Sequence, residues 1–569
     1  MARVRELTIK GYRSIRDKIP IRLPENTPIV LVGENNTGKS NIVRALDLIL
    51  GERWPGTRES DDHDFWNRTP SSGPIEICAN IGGGTIIDAR GNPIQSLQWI
   101  YDQNSEEDKC KFRALTDYGE SYVSNRMRDQ CMCILVGADR QLSHQLSYTN
   151  KWTLLSKLMR KFHDHLTQDK DRVDRLKQEF ESVKEIFKEV SEFANFQSEL
   201  SSQFQDMFTG MSYGLQIDFS AYDPSNYFHS LRLLPEEGGQ TRTFEELGTG
   251  QEQLLALAFA QAYAKAFYGG IILVIEEPEA HLHPLAQQWL ARKVTQMAND
   301  GLQIVLTTHS PAFVDLLSQE GIVLVRKSDG ATTVKQLSAD ELAKYCIQHG
   351  ADPNRTNSKT VLPFYAASTT QEILNGLFAK KIVLVEGPTE SLTLPVYLTK
   401  VGLDVAKEGI AVIPVMGKGN LAKWWRFFTA YGIPTFLTFD NDTKEDKDGN
   451  KRRDALTTIG ITDEPKVGDI ISTGNWYIDD ICCVFGRDFE QTMRNSFPPY
   501  EQLEKEAKQT IGDSKPLVAR HVAEKLELNK EDTGWAKFED LKQRLGNLRA
   551  TDFSESQEQA LSDDDLPFE

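Results

Sequence analysis

From Arg3 to Leu23, in "RVRELTIKGYRSIRDKIPIRL", apolar and polar residues alternate with a period of two, which predicts a pair of edge strands. The next stretch, "PIVLVGENNTGKSNIVRALDLIL" from Pro28 to Leu50, reads as an apolar strand, a glycine-bearing loop and an amphipathic helix. Two further apolar strands are expected in "GGIILVIEEPEAHLHP", 269–284, and "LQIVLTTHSP", 302–311. Before them, "FEELGTGQEQLLALAFAQAYAKAF" gives a glycine turn and a long helix with Leu254, Leu255, Leu257, Ala258 and Ala262 on its apolar side. Between Lys151 and Phe208 the chain is highly charged and lacks Pro and Gly, and Leu176, Phe180, Val183, Phe187 and Val190 follow heptad spacing. Two heptads are too short for a rod, so a helical hairpin is expected, either a lid on its own domain or a dimer contact.

After Val361 the pattern restarts. A polar helix, "ASTTQEILNGLFAK", precedes the strand Ile382–Val385 inside "KIVLVEGPTESLTLP". Further strands follow in "GIAVIPVMGKGN", 409–420, and "IPTFLTFDNDTKEDKDGN", 433–450. Strands alternating with helices predict a parallel α/β sheet, whose functional groups gather at the carboxyl ends of its strands.

The length of 569 residues allows two or three domains, and 39% apolar with 26% charged residues is an ordinary globular balance. No apolar run approaches the roughly 20 residues of a membrane span and no export signal is apparent, so a cytoplasmic protein is expected. Seven scattered cysteines read as reduced thiols. The net charge of −18 runs against a nucleic-acid partner, but local potential governs binding, and acid can collect in a tail or in cation sites.

The loop G-E-N-N-T-G-K-S fits the phosphate-binding pattern G-x-x-x-x-G-K-[ST] between its strand and helix. Gly33 and Gly38 let backbone N–H groups wrap phosphates, Lys39 supplies a charge and the Ser40 hydroxyl ligates Mg²⁺; Asn35, Asn36, Thr37 and Asn41 complete the expected ATP-binding set. At the end of the 269–284 strand, Glu276 is expected to hold Mg²⁺ through water and Glu277 to polarise the water that attacks the γ-phosphate. His309 is expected to sense that phosphate. Taken in order, these motifs resemble the ABC-type ATPase head of recombination and chromosome-maintenance proteins. The resemblance implies that the turn Leu247–Gly250 closes on ATP held by a second copy, with Thr249 acting in trans, although it departs from the common L-S-G-G-Q. It also brings residues near Arg13 towards the nucleotide, where the plain alternative is an exposed strand pair.

Glu386, Asp440 and Asp442 all stand at strand ends of the second half. Three carboxylates at one sheet edge repel one another, and a divalent cation is the natural neutraliser. Mg²⁺ takes oxygen ligands and keeps waters, which suits acids flanking a phosphate, and two ions about 4 Å apart would serve both the attacking and the leaving oxygen. A strand ending in V-E-G, a G-K-G-N turn and a strand ending in D-N-D resemble the Toprim domain. An ABC-type head followed by Toprim resembles the OLD (overcoming lysogenization defect) family and the Gabija-type defence nucleases. That resemblance adds Glu390 and Glu490 as metal ligands and Lys515 as a stabiliser of the phosphate; Glu390 reads equally as a helix-start acid favoured by the dipole. The basic run after Asp442, with Lys444, Lys447, Lys451, Arg452 and Arg453, is either a solvated loop or a DNA contact.

The expected architecture is α/β: an ABC-type P-loop ATPase domain over 1–345 with a helical, dimerising insertion at about 145–210, a linker over 346–378, a Toprim Rossmann-like parallel-sheet domain over 379–530, and a helical C-terminal extension with an acidic tail over 531–569. The expected activity is ATP-regulated cleavage of DNA, with ATP and Mg²⁺ or Mn²⁺ as cofactors, in anti-phage defence. Expected partners are DNA, a second copy or higher homo-oligomer, and a further defence-system protein or retron DNA, with no membrane. Two alternatives stand beside this: an RNA- or tRNA-cleaving toxin, and an ATP-driven DNA sensor without nuclease activity.

Overall fold

The computed structural model describes residues 2–137 apart from 52, 58, 84, 85, 107 and 129, then 166–189, scattered positions from 191 to 262, and 270–550 apart from 444 and 445. The chain forms two compact units, Met1–Leu135 with Gly269–Glu569, and Val136–Tyr268. Of the second unit, the principal described element is a helix over Lys170–Lys188. It carries Leu176; Val190 and the side chains of Phe180, Val183 and Phe187 lie outside the described residues, as does the turn Leu247–Gly250 with Thr249.

The first unit begins with an antiparallel sheet of β1 (Arg3–Lys10), β2 (Ile19–Arg22), β4 (Ile75–Gly82), β5 (Ile94–Tyr101), β6 (Cys110–Thr116) and β7 (Gly119–Tyr122), in the order β2-β1-β4-β5-β6-β7. β1 therefore pairs on both sides, with β2 and β4. The expectation of two edge strands holds for β2 alone. Its alternation misled because β1 has a buried face, with Val4, Leu7 and Ile9 essentially inaccessible, and only the other face is polar.

A second sheet holds the apolar strands β3 (Ile29–Val32), β8 (Cys133–Val136), β9 (Ile272–Glu276), β10 (Gln303–Thr307), β11 (Ile322–Ser328) and β12 (Ala331–Gln336), in the order β12-β11-β3-β10-β9-β8. β11, β3, β10 and β9 run parallel, so the ends of β3, β9 and β10 open on one edge. Helix α1 (Lys39–Leu50) packs on β1, β4 and β5 of the first sheet and on β10 of the second. Its Ile42, Val43, Leu46 and Ile49 join both sheets in one core, each large apolar side chain contributing about 1.5–3 kcal/mol.

The 346–378 stretch is packed rather than free. It holds two short helices, Val361–Ala366 and Gln371–Asn375, which bury Val361, Tyr365, Ile373 and Leu374. The third sheet comprises β13 (Lys381–Val385), β14 (Ile410–Pro414), β15 (Thr435–Asp440), β16 (Tyr477–Ile478) and β17 (Cys482–Phe485), in the order β14-β13-β15-β17-β16. All its pairings are parallel except β16 with β17. This is the parallel α/β sheet expected from the second half. The helix Thr533–Asn547 closes its core, burying Phe538, Leu541 and Leu545, with Phe538 stacked 4.9 Å from Tyr397.

The basic loop after β15 has a structural anchor. Arg452 is buried, its Nε 3.0 Å from Asp446 Oδ2, and its guanidinium also donates to the carbonyls of Asn441, Asp446 and Ile471. It holds the chain that leaves Asp442 and makes no surface for DNA; Arg453 pairs with Glu464, Lys447 and Lys451 are exposed, and Lys444 lies outside the described residues. Arg452→Ala leaves the buried Asp446 carboxylate with only the Lys451 and Arg452 backbone N–H groups and no opposite charge, and is expected to cost about 3–5 kcal/mol, read as a fall in denaturant midpoint; an unchanged midpoint would refute the anchoring role. All seven cysteines are free thiols, five of them buried.

Candidate functional site

Two constellations emerge. The first lies where β3, β9 and β10 end. Gly33 has φ +140°, and a Cβ there would strike the Val325 carbonyl oxygen, so glycine is required for the loop to leave β3. Gly38, φ +108°, starts α1 in the left-handed region. The Lys39 ammonium donates to the carbonyls of Gly33 at 2.9 Å and Glu34 at 2.7 Å, folding back along its own loop. Burial pushes its pKa down to about 8, against the charges of Glu277, Glu279 and Glu34. Ser40 and Asn41 follow it in the first turn of α1, and the Asn41 amide donates to Ser14 Oγ.

Glu276 is the last residue of β9. Glu277 has φ +48°, rare for a side chain of its size, and is held there by its N–H bonding to the Thr307 carbonyl at 2.9 Å and to the Thr307 hydroxyl at 3.2 Å. Backbone strain of this kind costs about 1–3 kcal/mol and clusters at functional positions. Glu279 escaped the sequence reading. Its carboxylate accepts from the His309 N–H at 2.6 Å and from the Thr308 hydroxyl at 2.9 Å, tying the end of β10 to the loop after β9. Desolvation and the Lys39 charge lower the His309 imidazole below its ordinary range, opposed by Glu277 and Glu279. Lys39, Glu277, Glu279 and His309 thus share one electrostatic neighbourhood. Arg13 pairs with buried Asp64 at 3.0 Å, which gives it a structural partner.

The second constellation is at the carboxyl end of the third sheet. Glu386 follows β13, Asp440 ends β15, Asp442 lies two residues on, Glu390 sits in the first turn of the helix Pro388–Lys400, Glu490 in that of Phe489–Ser496, and Lys515 begins Lys515–Lys525. Parallel strands put the first three together, and helix starts supply the others. Asp440, Glu390 and Glu490 are buried, at 4%, 4% and 8% exposure. Burial, then Glu390, Glu386 and Glu490, raises Asp440 well above the carboxylate range. Burial likewise pushes Glu390 up to about 7, with Glu386 and Glu490 adding to it, and raises Glu386, where Lys418 opposes the rise. Lys515 Nζ lies 3.0 Å from Glu490 Oε2; burial works against its charge, but the fields of Glu490, Asp440 and Glu390 outweigh that and hold its pKa above the ordinary lysine value. Glu390 also accepts from the Gly387 N–H at 3.0 Å, so it caps its helix and faces the cluster at once.

Among the described residues, no three acids, histidines or cysteines are gathered into a ready-made metal cage. Members of the expected ligand set have protein partners. Lys418, in the G-K-G-N turn but outside the ligand set expected from sequence, places its ammonium 3.0 Å from Asp442 Oδ1 and 3.4 Å from Glu386 Oε2. Lys515 holds Glu490 and the helix cap holds Glu390. Chemically the set still suits a hard divalent cation: the donors are all carboxylate oxygens, and buried Asp440 Oδ1 and Glu490 Oε1 have no hydrogen-bond partner.

The phosphate loop makes contacts at the foot of β13, the strand whose far end precedes Glu386. Glu34 of the phosphate loop lies 3.9 Å from Lys380, and Arg326, within β11, donates to the Lys380 carbonyl at 2.6 Å. These residues line a cleft of about 730 Å³.

The profile of the AAA ATPase domain family matches residues 3–114 and 95–314, more than half of the chain. That of the overcoming lysogenization defect protein-like Toprim domain matches 377–442, the segment bearing Glu386, Glu390, Lys418, Asp440 and Asp442. The OLD nuclease of Thermus scotoductus is 28% identical over 77% of this chain and 82% of its own length. The Old nuclease of Escherichia phage P2 is 22% identical over 80% of each chain. Endonuclease GajA of Bacillus cereus is 21% identical over 78% of this chain and 75% of its own. The chain belongs to the AAA ATPase domain family, and its second half carries a segment that matches the overcoming lysogenization defect protein-like Toprim domain.

Proposed function

We propose that the chain is an ATP-regulated, divalent-metal-dependent endonuclease that nicks or cleaves DNA in defence against phage. The observation that carries this reading is the set of buried acids around Asp440, whose unpartnered oxygens lie beside Lys515 in a chain that also holds a complete phosphate loop. The named activities of the OLD and GajA relatives support it.

In this reading Glu386, Glu390, Asp440, Asp442 and Glu490 hold Mg²⁺, with Mn²⁺ as a substitute. Bound there, the cation supplies charge neutralisation at the scissile phosphate and an activated water. Lys515 carries its charge to the phosphate as negative charge builds up on it. In the ATPase half, Lys39 leaves the Gly33 and Glu34 carbonyls for the β- and γ-phosphates, Ser40 and Glu276 hold the nucleotide's Mg²⁺, and Gly33, Asn35, Asn36, Thr37, Gly38 and Asn41 line the phosphates. Glu277 takes the proton of the attacking water, and His309 reads the γ-phosphate. Thr249 of a second copy completes the pocket, which makes the active form a homodimer or larger. Lys380 and Arg326 link the phosphate loop to the strand that delivers Glu386, which supports control of cleavage by ATP. We place the protein in the cytoplasm, with DNA as substrate and a further defence-system protein or retron DNA as partner; among the described residues no helix is long and apolar enough to cross a membrane.

Chelation by EDTA is expected to abolish nicking of supercoiled plasmid and Mg²⁺ to restore it. Cleavage that persists in EDTA would refute the metal-dependent reading. Glu277→Gln is expected to keep nucleotide binding and lower ATP turnover by about a hundredfold or more, as loss of a positioned base does. Unchanged turnover would remove Glu277 from its role.

A further inference from the structure

The turn between β14 and the helix Leu421–Ala430 is built to deliver one side chain. The Val415 N–H donates to the Val385 carbonyl at 2.9 Å and the Gly417 N–H to the Glu386 carbonyl at 2.9 Å, so the turn is fastened to the end of β13. The Asn420 amide donates to the Val415 carbonyl at 2.9 Å and closes the turn on itself. Met416 at φ +57° and Gly417 at φ +114° both take the left-handed region, the conformation this tight reversal demands. The product is a Lys418 side chain only 1% exposed, whose ammonium bridges Asp442 Oδ1 and Glu386 Oε2 and also lies 3.4 Å from the Asp442 carbonyl.

A buried ammonium is costly unless paired, and carboxylates this close repel one another unless a cation separates them. Each therefore needs the other when no divalent ion is present. The same two carboxylates are the ones the nuclease reading assigns to the metal; the ammonium hydrogen-bonds Asp442 Oδ1, where it occupies a lone pair that a divalent ion would use, and stands at ion-pair distance from Glu386 Oε2, which accepts no hydrogen bond. We propose that Lys418 is an internal counter-ion that occupies the divalent-cation position between Glu386 and Asp442 and competes with the incoming ion for their oxygens. The inference rests on the metal-binding reading above. It makes Lys418 a positioning residue, one that preserves the acid geometry in the metal-free protein and must withdraw from it when the ion enters.

The test is Mn²⁺ binding to the full chain without nucleic acid, followed by electron paramagnetic resonance of free Mn²⁺. Lys418→Met is expected to bind Mn²⁺ about tenfold more tightly than the unsubstituted chain, because the charge-assisted hydrogen bond to Asp442 and the ion pair with Glu386 no longer compete. Its metal-free melting temperature is expected to fall and its Mn²⁺-induced rise to grow. Lys418→Gln, neutral but similar in length, serves if the methionine variant does not fold, and the same tightening is expected. A structural lysine with no competing role would leave Mn²⁺ affinity equal or weaken it when replaced, and either result overturns the proposal. Asp440→Asn separates the two readings: if the unsubstituted chain binds Mn²⁺ and Asp440→Asn does not, the metal reading stands whatever Lys418 does. If the unsubstituted chain binds no Mn²⁺, both fall together.

Discussion

A chain carrying Asp440→Asn is expected to lose metal-dependent DNA cleavage by about a thousandfold or more, since one ligand removed from a divalent ion at a reacting phosphate forfeits several kcal/mol of transition-state stabilisation. The same chain is expected to melt no lower than the original in the absence of metal. Asp440 is 4% exposed, its Oδ1 has no hydrogen-bond partner, and its charge is opposed by burial and by Glu390, Glu386 and Glu490. Burial and its acidic neighbours hold Asp440 against ionising, and an unsatisfied buried polar group costs about 1–3 kcal/mol, so the isosteric amide gives up no stabilising interaction in the metal-free chain. A residue kept for stability would show the opposite pairing, with melting lowered and cleavage intact. Plasmid nicking and thermal melting on one preparation decide between them.

Lys39→Ala is expected to weaken ATP binding by about a hundredfold or more, as loss of charge-assisted hydrogen bonds worth about 1.5–3 kcal/mol each implies. With no nucleotide present the ammonium is spent on the Gly33 and Glu34 carbonyls, and burial lowers its pKa to about 8, a cost that a phosphate beside it would offset. Titration with a fluorescent ATP analogue measures the loss. Retained affinity would mean that the Gly33–Ser40 loop is not the nucleotide site. Cleavage in this variant shows in addition whether occupied phosphate loops promote or restrain the nuclease through Glu34, Lys380 and Arg326.

The elements that the sequence made legible are those whose chemistry is local. The phosphate loop is a contiguous pattern between a strand and a helix, and acids ending apolar strands at Glu276, Glu386 and Asp440 announce a sheet edge without any tertiary information. Glu279 and Lys418 were hidden because their meaning depends on distant partners. A glutamate in a loop and a lysine in a glycine turn both look solvated, until His309 and Thr308 close on the first and Glu386 with Asp442 on the second. Arg452 misled in the opposite way: within a run of charges it resembled a surface cation, whereas Asp446 and three carbonyls draw it inside. β1 misled because two-residue alternation marks one polar face, and a strand paired on both sides can have that as readily as an edge strand. Glu390 bears out the helix-start reading, since its carboxylate caps the helix, and from the same position it also raises the pKa of Asp440.

The central claim is that this chain joins a nucleotide-controlled head to a metal-dependent site that cuts DNA. It is tested most directly by a time course of purified chain on supercoiled plasmid and, in parallel, on structured RNA, with Mg²⁺ present and with ATP added or omitted. The account predicts nicked or linear plasmid, intact RNA, and a cleavage rate that changes when ATP is added. Intact plasmid under every condition, or cleaved RNA beside intact plasmid, would contradict it.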